Sequence, residues 1–177
     1  FALGIITGNN AEMLKQRRRN GLEPIFTGKN IRKYHLLPAE RYIQFDKARF
    51  QQCAKESYFR APEKLVYKFI SSQLCFAYDD TQSLFLNSAN ILIPDIEGMS
   101  TKTVLAFLNS KAFNFYYTKN FDDIKILKSN LLQLPFPKIT AEQDATLSTM
   151  VDHVIAGDET YMEAIDTYIC NLFQIEL

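Results

Sequence analysis

Thr103–Phe121, TVLAFLNSKAFNFYYTKNF, and the segment beyond it, Lys125–Ile139, KILKSNLLQLPFPKI, decide how the rest of the chain is read. Val104, Leu105, Leu108, Ala112, Phe115 and Tyr116 recur at helical spacing, which gives one apolar and aromatic face. Ser100 is placed to act as N-cap, with its hydroxyl available to the free amides of the first turn. Phe107, Phe113 and Tyr117 widen the stripe beyond what a surface helix needs. The pattern predicts one central helix, with Phe115 in its buried face, on which a sheet and later helices pack. Pro135 and Pro137 then predict a stiff extended segment closing the Leu-rich connector.

Working outward, short β-type runs dominate the first half. Phe1–Asn10 reads as a strand broken at Gly8-Asn9-Asn10, residues that tolerate positive φ. Ala11–Gly21 reads as a short helix ending at Asn20-Gly21, with Arg17, Arg18 and Arg19 as a solvated basic end. Arg41–Asp46 alternates like a strand, and Phe50–Tyr58 reads as a helix. Lys64–Ser71, Leu74–Tyr78 and Leu84–Leu92 are expected as three strands. In the first of these, Lys64, Val66, Lys68 and Ile70 share one face by the period of two. Glu142–Ala156 and Asp158–Phe173 are expected as two closing helices with acidic outer faces. The fold class is therefore α+β: a small mixed or antiparallel sheet packed on a central aromatic-rich helix, with C-terminal helices.

The chain of 177 residues carries no net charge, but the charge is unevenly placed. Phe1–Lys68 holds 14 Lys/Arg against 6 Asp/Glu, and Phe69–Leu177 reverses the two counts. Such an imbalance points to an anionic partner for the first half. Cys53, Cys75 and Cys170 show neither a disulfide framework nor zinc spacing, and suit idle thiols in a reducing cytoplasm. No apolar run reaches the length of a membrane span. Gly4-Ile5-Ile6-Thr7-Gly8 lacks the Gly-Lys-Ser/Thr ending of a phosphate loop. Near Pro94-Asp95-Ile96-Glu97 the Glu/Asp-x-Lys ending of a restriction nuclease is missing, so metal-dependent cleavage by this chain is not expected. The start at Phe1, without Met or a signal-peptide pattern, suggests a piece of a larger protein.

Pro24-Ile25-Phe26-Thr27-Gly28-Lys29-Asn30-Ile31-Arg32-Lys33-Tyr34 is the stretch that speaks most to function. Gly28 permits close backbone approach, Lys29, Arg32 and Lys33 are cations around an apolar anchor, and Tyr34 offers a ring. That interleaving suits a phosphate backbone followed by a base edge, and equally a turn with solvated charges.

Leu108-Asn109-Ser110-Lys111, the aromatic run Phe113–Tyr117 and Leu134-Pro135-Phe136-Pro137-Lys138-Ile139 resemble the C-terminal specificity domain of TaqI-like DNA methyltransferases and related fused type II restriction-modification enzymes. The Gly28–Tyr34 stretch is similar to that family's Gly-Lys-Asp-Ile-x-x-Tyr element, with Asn30 in place of Asp. The resemblance runs discontinuously over residues 1–139. It implies a DNA target recognition domain there, with 140–177 a helical appendage of the same domain. It also implies double-stranded DNA as partner, contacted by Lys29, Asn30, Arg32, Lys33 and Tyr34, then by Lys64, Lys68, Ser71 and Ser72. It further implies a methyltransferase domain of the same polypeptide that uses S-adenosylmethionine on an adenine, with Mg2+ where the parent also cleaves. This chain lacks the Asn/Asp-Pro-Pro-Tyr/Phe loop and a cofactor-binding Gly-rich turn, so no catalytic or cofactor-binding residue is assigned to it. The alternatives are a protein–protein assembly module or a domain like the specificity subunit of type I restriction enzymes.

Overall fold

β4, Lys64–Lys68, is the strand from which both layers of the molecule are built. Leu65 and Tyr67 enter one hydrophobic core and Val66 enters another. A strand covered on both faces reads as a continuous apolar run, which explains why Leu65-Val66-Tyr67 shows no polar side. In this computed structural model, which describes residues 1–176, β4 pairs antiparallel with β5 (Phe76–Asp79) and with β7 (Ala89–Leu92). β7 in turn pairs with β1 (Ala2–Leu3), giving a four-stranded sheet of order β1-β7-β4-β5.

A smaller sheet covers the Val66 side. Its centre is β2 (Glu23–Phe26), antiparallel to β3 (Arg41–Ile43) and parallel to β6 (Leu84–Phe85). The run expected as one strand over Leu84–Leu92 is thus divided between two sheets, with a turn at Asn87 and Ser88. Gly4 sits under that turn. A Cβ there would lie 2.3 Å from the Leu86 carbonyl oxygen, so the close approach requires glycine.

Two expected helices are much shorter than the sequence pattern suggested. α1 is Asn10–Met13, and Leu14 is already extended at ψ 134°. Lys15 exchanges backbone hydrogen bonds with Tyr42 at 2.8 and 2.9 Å, so pairing with β3 satisfies the amides that a longer helix would have used. Arg17–Arg19 therefore lie in an exposed loop rather than at a helix end. In the Phe50–Tyr58 stretch only α2, Glu56–Phe59, is helical, because Gln52 is drawn into a bridge with Ile6.

The helical layer covers the Leu65 and Tyr67 side. The single helix expected over Thr103–Phe121 is two: α3, Thr101–Asn109, and α4, Lys111–Asn120. Ser110 (φ −66°, ψ 155°) ends the first and caps the second, its hydroxyl accepting from the Phe113 N–H. Ser100 caps α3, as its position predicts. The break re-aims the second aromatic set. Phe107, Phe113 and Tyr117 are buried, whereas Phe115 is 52% exposed and not part of the core stripe.

After α5 (Lys128–Leu131), Phe136 closes on Phe113 and Phe107 at ring-centroid distances of 4.8 and 5.8 Å. α6 (Ala141–Ile155) opens with a capping box between Thr140 and Gln143, and α7 is Thr160–Phe173. Leu147, Val151, Val154, Ile165 and Ile169 join the same core as Val104 and Leu105. The architecture is α+β, with helices on one face of the larger sheet and the smaller sheet on the other.

Candidate nucleic-acid interface

Thr27, Lys29 and Asn30 build a tight turn on the end of β2. Gly28–Asn30 forms one turn of 3-10 helix, in which the Thr27 hydroxyl accepts from the Lys29 N–H and Asn30 Oδ1 accepts from the Thr27 N–H. The Asn30 amide also donates to the Pro38 carbonyl at 2.9 Å, and the residue is buried. Asn30 therefore holds the loop from inside and presents nothing to a ligand. Gly28 packs so closely on the Asn87–Ser88 turn that a Cβ would lie 2.7 Å from the Ser88 carbonyl oxygen. The loop exposes Lys29 and Arg32, and the Arg32 guanidinium donates back to the Lys29 and Ile31 carbonyls.

Three other residues expected at a DNA surface lie inside the protein or are tied to it. Tyr34 is 3% exposed with φ 70°, and its backbone bonds to Phe76 and Tyr78 along the edge of β5. Burial pushes its phenol well above the ordinary value, and the ring is unavailable for stacking on a base. Lys64 is fully buried, where its ammonium pairs with Asp79 and donates to the Phe59 carbonyl at 2.8 Å. It stands on the same face as Lys68, as the period of two requires, but the smaller sheet closes over it. Lys33 is half-buried and donates to the Asn109 carbonyl at 2.7 Å. Burial lowers its pKa despite nearby Asp166. Ser71 is part of a turn, its hydroxyl donating to the Gln73 carbonyl, and Ser72 is exposed.

Lys29 and Lys68 are brought together with a cation that sequence reasoning did not single out, Arg41. The three line an open groove of about 650 Å³, whose walls include Asn10, Ile70, Asn87 and Ser88. Glu40 brings a carboxylate to the rim. Among the described residues, none of the three cations is in an ion pair, unlike Arg49 with Glu12 or Arg60 with Glu23. The Lys15–Tyr42 pairing lays the next stretch of chain beside Arg41, and Lys15, Gln16, Arg17 and Arg19 line an adjacent depression. Further cations thus stand on the stretch of chain that pairs with β3. Arg41 could have been found from its position on an edge strand facing the basic loops, but that adjacency depends on the β2–β3 pairing.

The recurring sequence phrases also acquire positions. Asn109 clamps the backbone of edge strand β5: its amide oxygen accepts from the Phe76 N–H and its amide nitrogen donates to the Phe76 carbonyl, each at 2.9 Å. The Lys111 N–H donates to the Asp166 carboxylate at 2.8 Å, which fixes α7 against the start of α4.

With this geometry in hand, comparison with known families finds the TaqI-like C-terminal specificity domain, matched over residues 23–136. The chain belongs to that family. The matched residues begin at β2 and end at Phe136, so the TaqI-like part spans the basic turn, both sheets apart from β1, and the helix pair. In the TaqI-like fold of this chain, Leu-Asn-Ser-Lys is a structural phrase: Asn109 holds β5, Ser110 breaks the helix, and Lys111 receives α7. Asn30 departs from the family's Asp, and its donation to Pro38 is a bond that an ionised carboxylate could not make.

Among solved structures, the chain is similar to the Type IIL restriction-modification enzyme MmeI in complex with DNA, with a TM-score of 0.68 at 10% identity. The match covers 99% of this chain and 33% of that one, so the similarity is one of fold, over a third of a longer polypeptide. No curated protein sequence matches the chain. Among the described residues no His, Cys, Asp and Glu side chains group to hold a metal ion, and no helix is long and apolar enough to cross a membrane.

Proposed function

We propose that this specificity domain binds double-stranded DNA along the groove between Lys29, Arg41 and Lys68, and holds the duplex for a methyltransferase domain of a restriction-modification enzyme. The observation that carries the reading is the convergence of three unpaired cations from the β2 turn, β3 and β4 on one concavity. Phosphates spaced along a duplex are matched by cations spaced along a groove, and their contact positions the protein without reading sequence. MmeI, whose fold the chain shares, was solved in complex with DNA, which adds support.

In this proposal the parent enzyme methylates the exocyclic nitrogen of an adenine with S-adenosylmethionine, in a cytoplasmic setting, and cleaves with Mg2+ where a nuclease domain is fused. That chemistry belongs to residues outside this chain. Residues 1–139 form the recognition domain, and the acidic helices of 140–177 brace it from behind.

Equilibrium binding of a labelled duplex across a salt series tests the reading. About five phosphate contacts give a slope of log Kobs against log salt near −4 to −5. Replacing Lys29, Arg41 and Lys68 together by Ala removes about three of them, and the slope is expected to rise by between 2 and 3. A salt-independent wild type, or an unchanged slope in the triple variant with its circular dichroism intact, refutes the proposal.

A further inference from the structure

The cations explain attachment but carry no base preference, and the groove offers few groups that do. Its neutral polar side chains are Asn10, Thr27, Asn87 and Ser88. Asn10 Oδ1 accepts from the Thr7 hydroxyl at 2.6 Å, and Thr27 is committed to its own turn. Ser88 Oγ accepts from the Gly28 N–H at 3.0 Å. Asn87 is exposed, and among the described residues no side-chain hydrogen bond engages its amide.

The backbone beneath Asn87 is held on every side. Its own N–H donates to the Ile5 carbonyl at 3.1 Å, and the Leu86 N–H donates to Phe26 at 2.8 Å. The Ala89 N–H donates to Leu86 at 2.9 Å, and the Phe69 N–H to the Ser88 carbonyl at 3.1 Å. Gly4 and Gly28, where a side chain would collide with Leu86 and Ser88, let two other segments close on the turn. The result is a free amide on a rigid mount at a groove lined with cations.

The Phe69–Ser88 bond also places Ile70 and Asn87 as the next residues on two chains that run side by side. Ile70 lines the same groove and is 64% exposed. An isoleucine left in water beside an unpaired amide has no explanation in the packing of this domain.

We propose, on the footing of the DNA reading above, that Asn87 and Ile70 form the base-reading tip of the domain and select an A·T pair in the major groove. An asparagine amide offers a donor and an acceptor with the spacing of adenine N7 and its exocyclic N6. An aliphatic side chain beside it contacts the thymine methyl group, which no other base carries. Asn87 and Ile70 read, and Lys29, Arg41 and Lys68 hold.

Selection from a duplex library with a randomised 12-base-pair centre and fixed arms tests this with the whole chain. The wild type is expected to enrich A·T at one position. Asn87→Ala should lower the ratio of enriched to scrambled duplex at that position about 5- to 150-fold, with the salt slope unchanged. Ile70→Ala should weaken discrimination of thymine against uracil in the same pair. Circular dichroism confirms that each variant is folded. An Asn87→Ala protein that enriches the same sequence as strongly as wild type overturns the inference and leaves the DNA reading standing. Wild-type binding without base preference does the same. A wild type that retains no duplex overturns the DNA reading itself.

Discussion

The two faces of β4 are covered by layers built on different principles. On the Leu65 and Tyr67 side, helices bring Phe107, Phe113 and Tyr117 into an aromatic core closed by Phe136 and Phe173. On the Val66 side the elements are short, and much of the order comes from polar links: the Asn30 clamp, the Lys64–Asp79 pair and the bidentate contact of Arg60 with Glu23 at 2.6 and 2.8 Å. Non-directional burial tolerates small displacements, whereas hydrogen-bonded turns fix side chains at defined positions. The helical layer supplies stability and the polar layer supplies placement, and of the groove cations Lys29 and Arg41 are mounted on the second and Lys68 on β4 itself.

The sharpest way to break this comparison is to remove one member from each layer. Phe113→Ala should cost about 3–5 kcal/mol through lost burial and a cavity. Lys64→Ala should cost a similar 3–5 kcal/mol for the opposite reason, because it strands the buried Asp79 charge. Urea unfolding measures both. Replacing Lys64 by Met and Asp79 by Leu together should cost less than either single change, since no charge is then left unpaired. Cavity variants show no such rescue.

Burial alone would push the Asp79 carboxyl up, but the Lys64 pair and the Thr81 hydrogen bonds outweigh it and hold the pKa below the ordinary carboxylate value. The folded state then binds fewer protons than the unfolded one between the two pKa values, so stability rises with pH there. The contribution is complete above about pH 4 and is lost as pH falls through the depressed value. Stability that is flat between pH 5 and 2.5 would show that the pair is not ionised.

Asn109 ties α3 to the edge of the larger sheet, and Asn109→Ala leaves the Phe76 N–H without a partner, while the Phe76 carbonyl keeps only the Tyr34 N–H. A cost of roughly 2–3 kcal/mol is expected by urea unfolding, with faster amide exchange concentrated at β5. Uniformly faster exchange would mean that the clamp is not local.

How much of this was legible in the sequence follows from where the physics is local. Ser100, Gly8, the two closing helices and the face shared by Lys64 and Lys68 are set by neighbours three or four residues away at most, and sequence patterning located them. Arg41 in the groove and the end of α1 at Met13 depend on β3 pairing with β2 and with Lys15, and the burial of Lys64 depends on Asp79 and the Phe85 ring closing on it. Such contacts join residues far apart in the chain, so no local pattern reports them. Lys29 and Lys68 were found as cations, but the groove that unites them appears only when the β2 turn closes on Ser88.

Phe115 separates the two kinds of information most cleanly. Its periodicity assigns it to the buried stripe, and a continuous helix would have placed it there. Ser110 takes ψ 155° because its hydroxyl satisfies both helix ends, donating to the Phe107 carbonyl and accepting from the Phe113 N–H. One residue of extended backbone re-orients every side chain that follows, and Phe115 turns outward, where the Lys119 ammonium lies 5.7 Å from its ring centre. Phe115→Ala should therefore change stability by no more than about 0.5 kcal/mol, against the several lost at Phe113. Urea midpoints of the two variants decide it. A loss at Phe115 as large as that at Phe113 would mean that α3 and α4 form one unbroken helix, with the stripe running straight through Ser110.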